Sequence, residues 1–214
     1  ITEGEAGKAV FKGIERRGVT PLAWGENGFR QLSNSKQKID KPEDLKGLKI
    51  RVVGSPLFQD TFTALGANPT QMSWADAKPA LTTGAVDGQE NPISVFDVAR
   101  IDQVGQAHLT RWGYMADPLV FGVSTRVWRQ FSPEDQKLLK QAAIDAGKWE
   151  KEKSRSELEA TLARIKERGI TVTDLTAEQH AAFVKATQSV YQKWTPRIGE
   201  ELVKQAQEAV ANRK

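Results

Sequence analysis

Short apolar runs alternate with helix-like patterns through the first two thirds of the sequence. The elements predicted there are strands at residues 19–24, 48–53, 85–86 and 119–124 and helices at residues 55–65, 74–83 and 92–101. Strands separated by helices at this spacing are typical of an α/β domain with a largely parallel sheet. In such a sheet, ligands bind beyond the carboxyl ends of the strands.

The last third of the sequence is mainly helical. A serine followed by a proline and two acids, at residues 132–135, predicts a helix start. No proline interrupts the run before Gly169, which predicts one helix of about 35 residues. Its apolar residues form two groups, at 138–149 and 158–165, with a charged stretch between them. We therefore predict a strap that touches two separate apolar surfaces, with a kink near Gly147 left open.

The bulk composition excludes several classes of function. The net charge is +4 with acids and bases interspersed, so no basic cluster indicates nucleic-acid binding. The absence of cysteine excludes disulfides, thiol catalysis and cysteine-type zinc sites, and no apolar run approaches membrane-spanning length. Residues 4–11 read as the middle of a helix, so we expect a mature protein that has lost an N-terminal portion, or a fragment.

An arginine inside an apolar strand is the strongest indication of a binding site. Arg51 lies in the strand predicted at 48–53, and burying arginine is costly unless a partner neutralises it. A guanidinium at the end of such a strand could grip a carboxylate through two parallel hydrogen bonds, although a core ion pair is the alternative. Arg30 follows a glycine turn and could supply a second cation. Asn91 could orient a carboxylate or a hydroxyl with its amide.

Aromatic residues near these positions could line a pocket or belong to the core. Trp74 opens a predicted helix, Phe29 precedes Arg30, and Trp112 and Tyr114 precede the strand at 119–124. The sequence leaves both interpretations open for Trp74, Trp112 and Tyr114.

Catalytic motifs are weak. The two histidines, His108 and His180, lie far apart in unrelated contexts, so a histidine-based triad or a zinc site has little support. Asp87 and Glu90 could form a carboxylate pair, but no second constellation accompanies them. We expect no enzyme activity, no metal and no cofactor.

Five segments together carry a resemblance to a known family. They are Gly28-Phe29-Arg30-Gln31, Asn34-Ser35, residues 42–51 (PEDLKGLKIR), residues 66–70 (GANPT) and residues 86–92 (VDGQENP). In order and spacing they resemble the solute-binding proteins of TRAP transporters (tripartite ATP-independent periplasmic transporters), dicarboxylate-binding subfamily, across nearly the whole chain.

The resemblance implies a two-lobed α/β fold of the periplasmic binding protein type, with crossing strands and a long strap helix. It makes residues 1–27 a remnant of the N-terminal lobe with a crossing strand, and 28–118 the C-terminal α/β lobe. Residues 119–168 become the return strand and long helix, and 169–214 the C-terminal strand and helices. Most of the family's N-terminal lobe is then missing from this sequence.

The resemblance also implies a function in transport. It predicts a periplasmic receptor that binds a small organic carboxylate and passes it to the membrane subunits of a TRAP permease. Arg51 takes the place of the arginine that forms the salt bridge to the ligand. The residues expected to contact the ligand are Arg51, Arg30, Asn91, Trp74, Phe29, Trp112 and Tyr114.

Two alternative functions remain at this point. The same binder could present its ligand to a membrane receptor as a sensor. Less favoured is an enzyme on the same fold, acting through Asp87, Glu90 or Arg51. We expect a monomer, and the amphipathic C-terminal helices leave a dimer open. The sequence does not identify the acid.

Overall fold

The computed structural model describes residues 1–212, which form helices around a mixed sheet. The helices are α1 (Glu5–Glu15), α2 (Pro56–Ala64), α3 (Trp74–Thr82), α4 (Ile93–Val98), α5 (Thr125–Trp128), α6 (Pro133–Ser156), α7 (Leu158–Glu167), α8 (Ala177–Ala186), α9 (Gln188–Ile198) and α10 (Glu200–Ala211), with short 3₁₀ helices at Pro42–Leu45 and Ile101–Val104. The strands are β1 (Val19–Asn34), β2 (Lys49–Val52), β3 (Asn68–Gln71), β4 (Gly88–Pro92), β5 (His108–Ser124) and β6 (Thr171–Asp174). The α/β class predicted from the sequence is confirmed.

The strand order of the sheet is β3-β2-β4-β1-β5-β6. Strand β2 runs parallel to both β3 and β4, and β5 runs parallel to β6. Strand β1 pairs with β4 in the antiparallel direction, with Leu32 opposite Glu90 and Gln31 opposite Asn91. The parallel strands are joined through helices, as βαβ geometry requires.

The chain divides into two compact units. Unit 1 comprises residues Ile1–Asn27, Asp117–Ser156 and the chain from Thr195 onward, and unit 2 comprises Gly28–Ala116 and Glu157–Trp194. Strands β1 and β5 contribute residues to both units.

Unit 2 is built around an aromatic core. Phe62 of α2 and Trp112 of β5 meet edge to face with ring centroids 5.9 Å apart, and Phe183 of α8 lies 4.9 Å from Trp112. Leu32 and Ile50 complete the same cluster from β1 and β2. Burial of these large apolar side chains stabilises the unit.

A second cluster of unit 2 joins α4 to α7. Phe96 packs with Leu162 and Ile165. Beside them the carboxylate of Asp97 accepts a hydrogen bond from Arg164 at 2.9 Å. Burial alone would raise the pKa of Asp97, but the hydrogen bonds and charges of Arg164 and Arg168 lower the pKa overall.

The structure corrects the prediction of a strand at 85–86. Strand β4 begins at Gly88 instead, while Val86 is buried against Ala80 and Leu81. The intervening Asp87 accepts a hydrogen bond from the backbone N–H of Lys49 through its carboxylate at 2.9 Å. This side-chain contact holds Asp87 in a turn, and the ladder starts one residue later.

The single long helix predicted to reach Gly169 is two helices. Helix α6 ends at Ser156, Glu157 forms a turn, and α7 begins at Leu158. The hydroxyl of Ser156 donates to the carbonyl of Lys153 at 2.9 Å, and such bonds compete with the helical ladder. Helix α6 continues through Gly147 without interruption.

The expected burial of α6 is also wrong. Leu138 and Trp149 of the predicted apolar face are 69% and 65% exposed. Gly147 is the buried residue of α6, and it lies on the backbone of Trp24 in unit 1. Periodicity identified an apolar stripe, but close backbone approach at a glycine decides which side of the helix packs.

The start of the chain differs from expectation as well. Helix α1 begins at Glu5 with Gly4 as its N-cap, so residues 4–11 are the beginning of a helix rather than its middle. Phe11 of this helix stacks on Trp24 with ring centroids 4.5 Å apart. Within residues 1–212, no helix has the length and apolar character needed to cross a membrane.

Substitution of Gly147 with alanine tests the contact between α6 and β1. A Cβ atom there would lie 2.5 Å from the carbonyl oxygen of Trp24. We expect a loss of about 1–3 kcal/mol in unfolding free energy from overpacking, despite the better helix propensity of alanine. The control is Gly13→Ala in α1, because a Cβ atom added at Gly13 would have no atom within 4 Å outside its own stretch of helix. In chemical denaturation, Gly13→Ala should leave the unfolding free energy unchanged or raise it. An equal change in unfolding free energy for Gly147→Ala and Gly13→Ala would contradict the close contact between Gly147 and Trp24.

Candidate functional site

Arg51 is a buried cation that has no acidic partner among the residues that the structure describes. It lies in β2 opposite Thr70 of β3 and Gln89 of β4, and is only 3% exposed. Its Nε and Nη2 atoms donate to the carbonyl oxygen of Met72 at 3.0 and 2.8 Å. No carboxylate within residues 1–212 forms an ion pair with it, and Nη1 makes no hydrogen bond there. A buried guanidinium in this state has the capacity to bind one anion.

Trp74 lies against Arg51. Its ring centroid is 5.5 Å from the guanidinium carbon, which is a cation–π contact. Trp74 opens α3 directly after the N-cap Ser73 and keeps 39% of its surface exposed. An exposed ring beside a buried cation can cover the apolar part of a bound molecule.

Arg30 already has a buried acidic partner. Its guanidinium forms an ion pair with Glu90, with Nη2 to Oε1 at 2.9 Å, and also donates to the backbone oxygen of Glu90 at 2.9 Å. Arg30 is 5% exposed and Glu90 is fully buried. The ring of Phe58 lies 5.4 Å from the guanidinium carbon of Arg30. The pair forms because β1 and β4 run side by side, with Leu32 opposite Glu90.

Asn91 is held by the same group of residues. Its side-chain oxygen accepts from Arg30 Nη2 at 3.1 Å, and its amide donates to Gln89 Oε1 at 2.6 Å. Gln89 in turn donates to Ser33 at 2.9 Å. These bonds fix the orientation of the Asn91 amide, and preorganised polar groups of this kind define a binding site well.

The remaining predicted contacts differ in position. Phe29 is 55% exposed. Trp112 and Tyr114 stack on each other with centroids 4.4 Å apart and pack into the aromatic core of unit 2. Trp112 and Tyr114 therefore belong to the core, which is one of the two roles that the sequence left open. Contact of Phe29, Trp112 or Tyr114 with a ligand stays a prediction.

Two hydrogen-bonding neighbours of Glu90, Arg30 and Tyr114, affect the pKa of its carboxylate. Burial raises the pKa of Glu90, and the hydrogen bond and charge of Arg30, followed by the hydroxyl of Tyr114, act against this rise. Tyr114 donates to Oε2 of Glu90 at 2.7 Å, and burial together with the Glu90 charge raises the pKa of Tyr114 well above its usual value. Burial lowers the pKa of Arg51, with Glu90 opposing and Arg30 reinforcing the change.

The pairing of Glu90 was missed at the level of sequence. From the sequence, Glu90 could form a carboxylate pair with Asp87. The structure gives the two acids separate partners, because Asp87 accepts from the backbone of Lys49 and Glu90 pairs with Arg30. Only the knowledge that strand β1 lies beside strand β4 would have indicated that Glu90 pairs with Arg30. In residues 1–212, no group of three or more His, Cys, Asp or Glu side chains could hold a metal ion.

A separate cavity of about 360 Å³ lies in unit 1. It is lined almost entirely by apolar atoms, among them those of Trp24, Val120 and Leu202, and no charged side chain contributes to its wall. It offers no donor to an organic anion. The charged site of unit 2 is therefore the better candidate.

The sequence matches a known family over nearly its whole length. The profile of the DctP family, described as bacterial extracellular solute-binding protein, family 7, matches residues 1–197. The chain belongs to this family. A C4-dicarboxylate-binding periplasmic protein of Rhodobacter capsulatus is 32% identical over 214 residues, which are 99% of this chain and 63% of that protein. A solute-binding protein of Verminephrobacter eiseniae is 32% identical over 98% of this chain and 62% of its own length.

Solved structures of TRAP periplasmic solute-binding proteins share the fold. A TRAP periplasmic solute-binding protein from Ralstonia eutropha with bound (S)-2-acetolactate is 56% identical and superposes with a TM-score of 0.96, over 99% of this chain and 69% of that one. A TRAP solute-binding protein from Sulfurospirillum deleyianum with bound succinate is 31% identical and superposes with a TM-score of 0.91. The match covers 96% of this chain and 68% of that one. This chain thus spans about two thirds of the length of these relatives. Its two-lobed periplasmic-binding-protein fold and its family are those predicted.

Proposed function

We propose that this protein is a periplasmic receptor that binds a small organic acid anion and delivers it to a TRAP-type membrane permease. The observation that carries the proposal is Arg51, a buried guanidinium that donates to a backbone carbonyl and has no acidic partner among residues 1–212. A carboxylate of the ligand neutralises this charge and accepts from Nη1, so ligand binding removes the cost of burying the cation.

Asn91 and Trp74 complete the contacts that we propose. The Asn91 amide, fixed by Arg30 and Gln89, offers a polar group to a hydroxyl or oxo substituent of the acid. Trp74, half exposed beside Arg51, covers the carbon skeleton. Arg30 supports the site through Asn91 and the Glu90 pair. These roles give one charged, one polar and one apolar contact, which is the usual composition of a small-molecule site.

The ligand class follows from the relatives. The Ralstonia eutropha protein, 56% identical, holds (S)-2-acetolactate, a branched 2-hydroxy acid with one carboxylate. We propose a short 2-hydroxy or 2-oxo acid of this kind for the present protein. Delivery to a permease is proposed from the relatives that are TRAP solute-binding proteins.

A ligand screen tests the proposal. The full chain is titrated with (S)-2-acetolactate, succinate and galactonate, with thermal unfolding and calorimetry as readouts. A true ligand at 100 times its Kd should stabilise the protein by about 2.7 kcal/mol. Mass spectrometry should recover the ligand unaltered, since a receptor performs no chemistry on it. Failure of every acid to bind, or its conversion to a product, would contradict the proposal.

A further inference from the structure

A chain of buried polar side chains ends at Asn91, and two of its members, Ser33 and Gln106, have no part in the contacts proposed above. Building on the proposed function, we infer that Ser33 and Gln106 are positioning residues. Acting through Gln89, they hold the Asn91 amide so that an N–H group faces the ligand. The ligand group bound there must then be a hydrogen-bond acceptor, such as the 2-oxo or 2-hydroxyl oxygen of the acid.

The members of this chain come from β1, from β4 and from the segment before β5. Asn91 Nδ2 donates to Gln89 Oε1 at 2.6 Å, and Gln89 Nε2 donates to Ser33 Oγ at 2.9 Å. Ser33 Oγ donates to Gln106 Oε1 at 3.0 Å, and Gln106 Nε2 donates to the backbone oxygen of Asp87 at 3.1 Å. Ser33 meets Gln89 because the two residues lie opposite each other in the ladder of β1 and β4.

The two ends of the chain fix its direction. At one end Arg30 Nη2 donates to Asn91 Oδ1 at 3.1 Å, and a guanidinium can only donate. At the other end the carbonyl oxygen of Asp87 can only accept. A hydroxyl or a carboxamide can do both, so each member between the ends accepts on the side of Arg30 and donates on the side of Asp87. The Asn91 amide therefore turns its oxygen to Arg30 and its nitrogen to Gln89.

The nitrogen of Asn91 retains one donor. A carboxamide nitrogen carries two protons, and among residues 1–212 only Gln89 accepts from this one. Gln89 lies opposite Arg51 in the parallel pair of β2 and β4, and Asn91 follows two residues later on the same face of β4. The remaining N–H thus belongs to the face of the sheet that carries Arg51. An oxygen next to the ligand carboxylate can accept from it.

The chain is costly to bury, which favours a role in orientation. Ser33, Gln89 and Gln106 are buried, and burial of amides and hydroxyls is unfavourable unless they are hydrogen-bonded. Apolar side chains of similar volume would fill the same space without that cost. A satisfied polar chain instead selects one orientation for each member. Thr110 differs, because its buried hydroxyl donates to the backbone oxygen of Ile39 at 2.8 Å.

The test compares two acids that differ only in an oxo group, 3-methyl-2-oxobutanoate and 3-methylbutanoate. Calorimetry on the full chain should give a Kd at least about tenfold lower for the 2-oxo acid, because its oxo group accepts the Asn91 proton. In Asn91→Ala the ratio of the two Kd values should fall to about 1. In Ser33→Ala and in Gln106→Leu it should fall by about threefold or more, since Arg30 alone then holds the Asn91 amide.

Thr110→Val is the control, because it removes a buried hydroxyl of unit 2 that lies outside the chain. It should lower the stability and leave the Kd ratio unchanged. A wild-type ratio near 1 overturns the inference, and so does a wild-type ratio in Ser33→Ala or Gln106→Leu. If neither of these variants folds, the ratios of the wild type and of Asn91→Ala decide.

The outcome separates this inference from the proposed function. A wild type that binds an acid of the ligand screen but not 3-methyl-2-oxobutanoate overturns the inference and leaves the receptor function standing. If the wild type binds neither of the two test acids nor any acid of the screen, it is the proposed function that fails.

Discussion

Replacing Arg51 with alanine is expected to weaken binding of the organic acid by about 2–5 kcal/mol, or about 30-fold to several thousand-fold in Kd. The variant removes the cation that we propose as the partner of the ligand carboxylate and leaves that carboxylate buried without a counter-charge. Calorimetry with the ligand identified by screening measures the loss directly.

Two further variants separate charge from geometry at this position. Arg51→Lys keeps the charge but lacks the planar fork that donates twice to Met72 and can bind a carboxylate through two bonds. Its affinity should fall between those of the wild type and Arg51→Ala. Arg129→Ala removes an exposed arginine of unit 1 and should bind normally. Unchanged affinity in Arg51→Ala would remove Arg51 from the site.

Replacing Arg30 with alanine is expected to destabilise the protein strongly. Glu90 is fully buried and would lose its counter-ion, and breaking a buried pair in this way costs about 3–5 kcal/mol. Urea denaturation followed by tryptophan fluorescence gives the change. The double variant Arg30→Ala with Glu90→Gln removes both charges and keeps an acceptor for Tyr114, so it should recover much of the loss.

The pH dependence of this variant has a definite sign. Without Arg30 the pKa of Glu90, which burial already raises, rises further in the folded state. An acid whose folded pKa lies above its unfolded value destabilises the fold as pH increases through that interval. The penalty of Arg30→Ala should thus be present near neutral pH and disappear as the pH falls to the unfolded value of glutamate, about 4.3. A small loss, or one independent of pH, would show that Arg30 does not compensate Glu90.

The sequence was sufficient for elements with strong local signals. Strand β2, helix α2 and helix α3 lie within one or two residues of their predicted bounds because caps and glycine stops define them. The α/β class follows from the same alternation. Arg51 could be singled out because an arginine inside an apolar strand is rare enough to require a partner.

Features that depend on neighbours distant in sequence could not be predicted. The break at Glu157 carries neither glycine nor proline and coincides with the change from unit 1 to unit 2. The stripe from Leu138 to Trp149 has the period of a buried helix face, yet Gly147 is the residue that packs. The partner of Arg30 depends on which strand lies beside β1, and nothing local to Arg30 encodes that.

The central claim is that the guanidinium of Arg51 holds the carboxylate of a small organic acid. A crystal structure of the full chain with its ligand tests this most directly. The account predicts a ligand carboxylate oxygen at about 2.7–2.9 Å from a guanidinium nitrogen of Arg51, the range of charge-assisted hydrogen bonds. A ligand bound elsewhere, with Arg51 still held only by Met72 or paired with a protein acid, would contradict it.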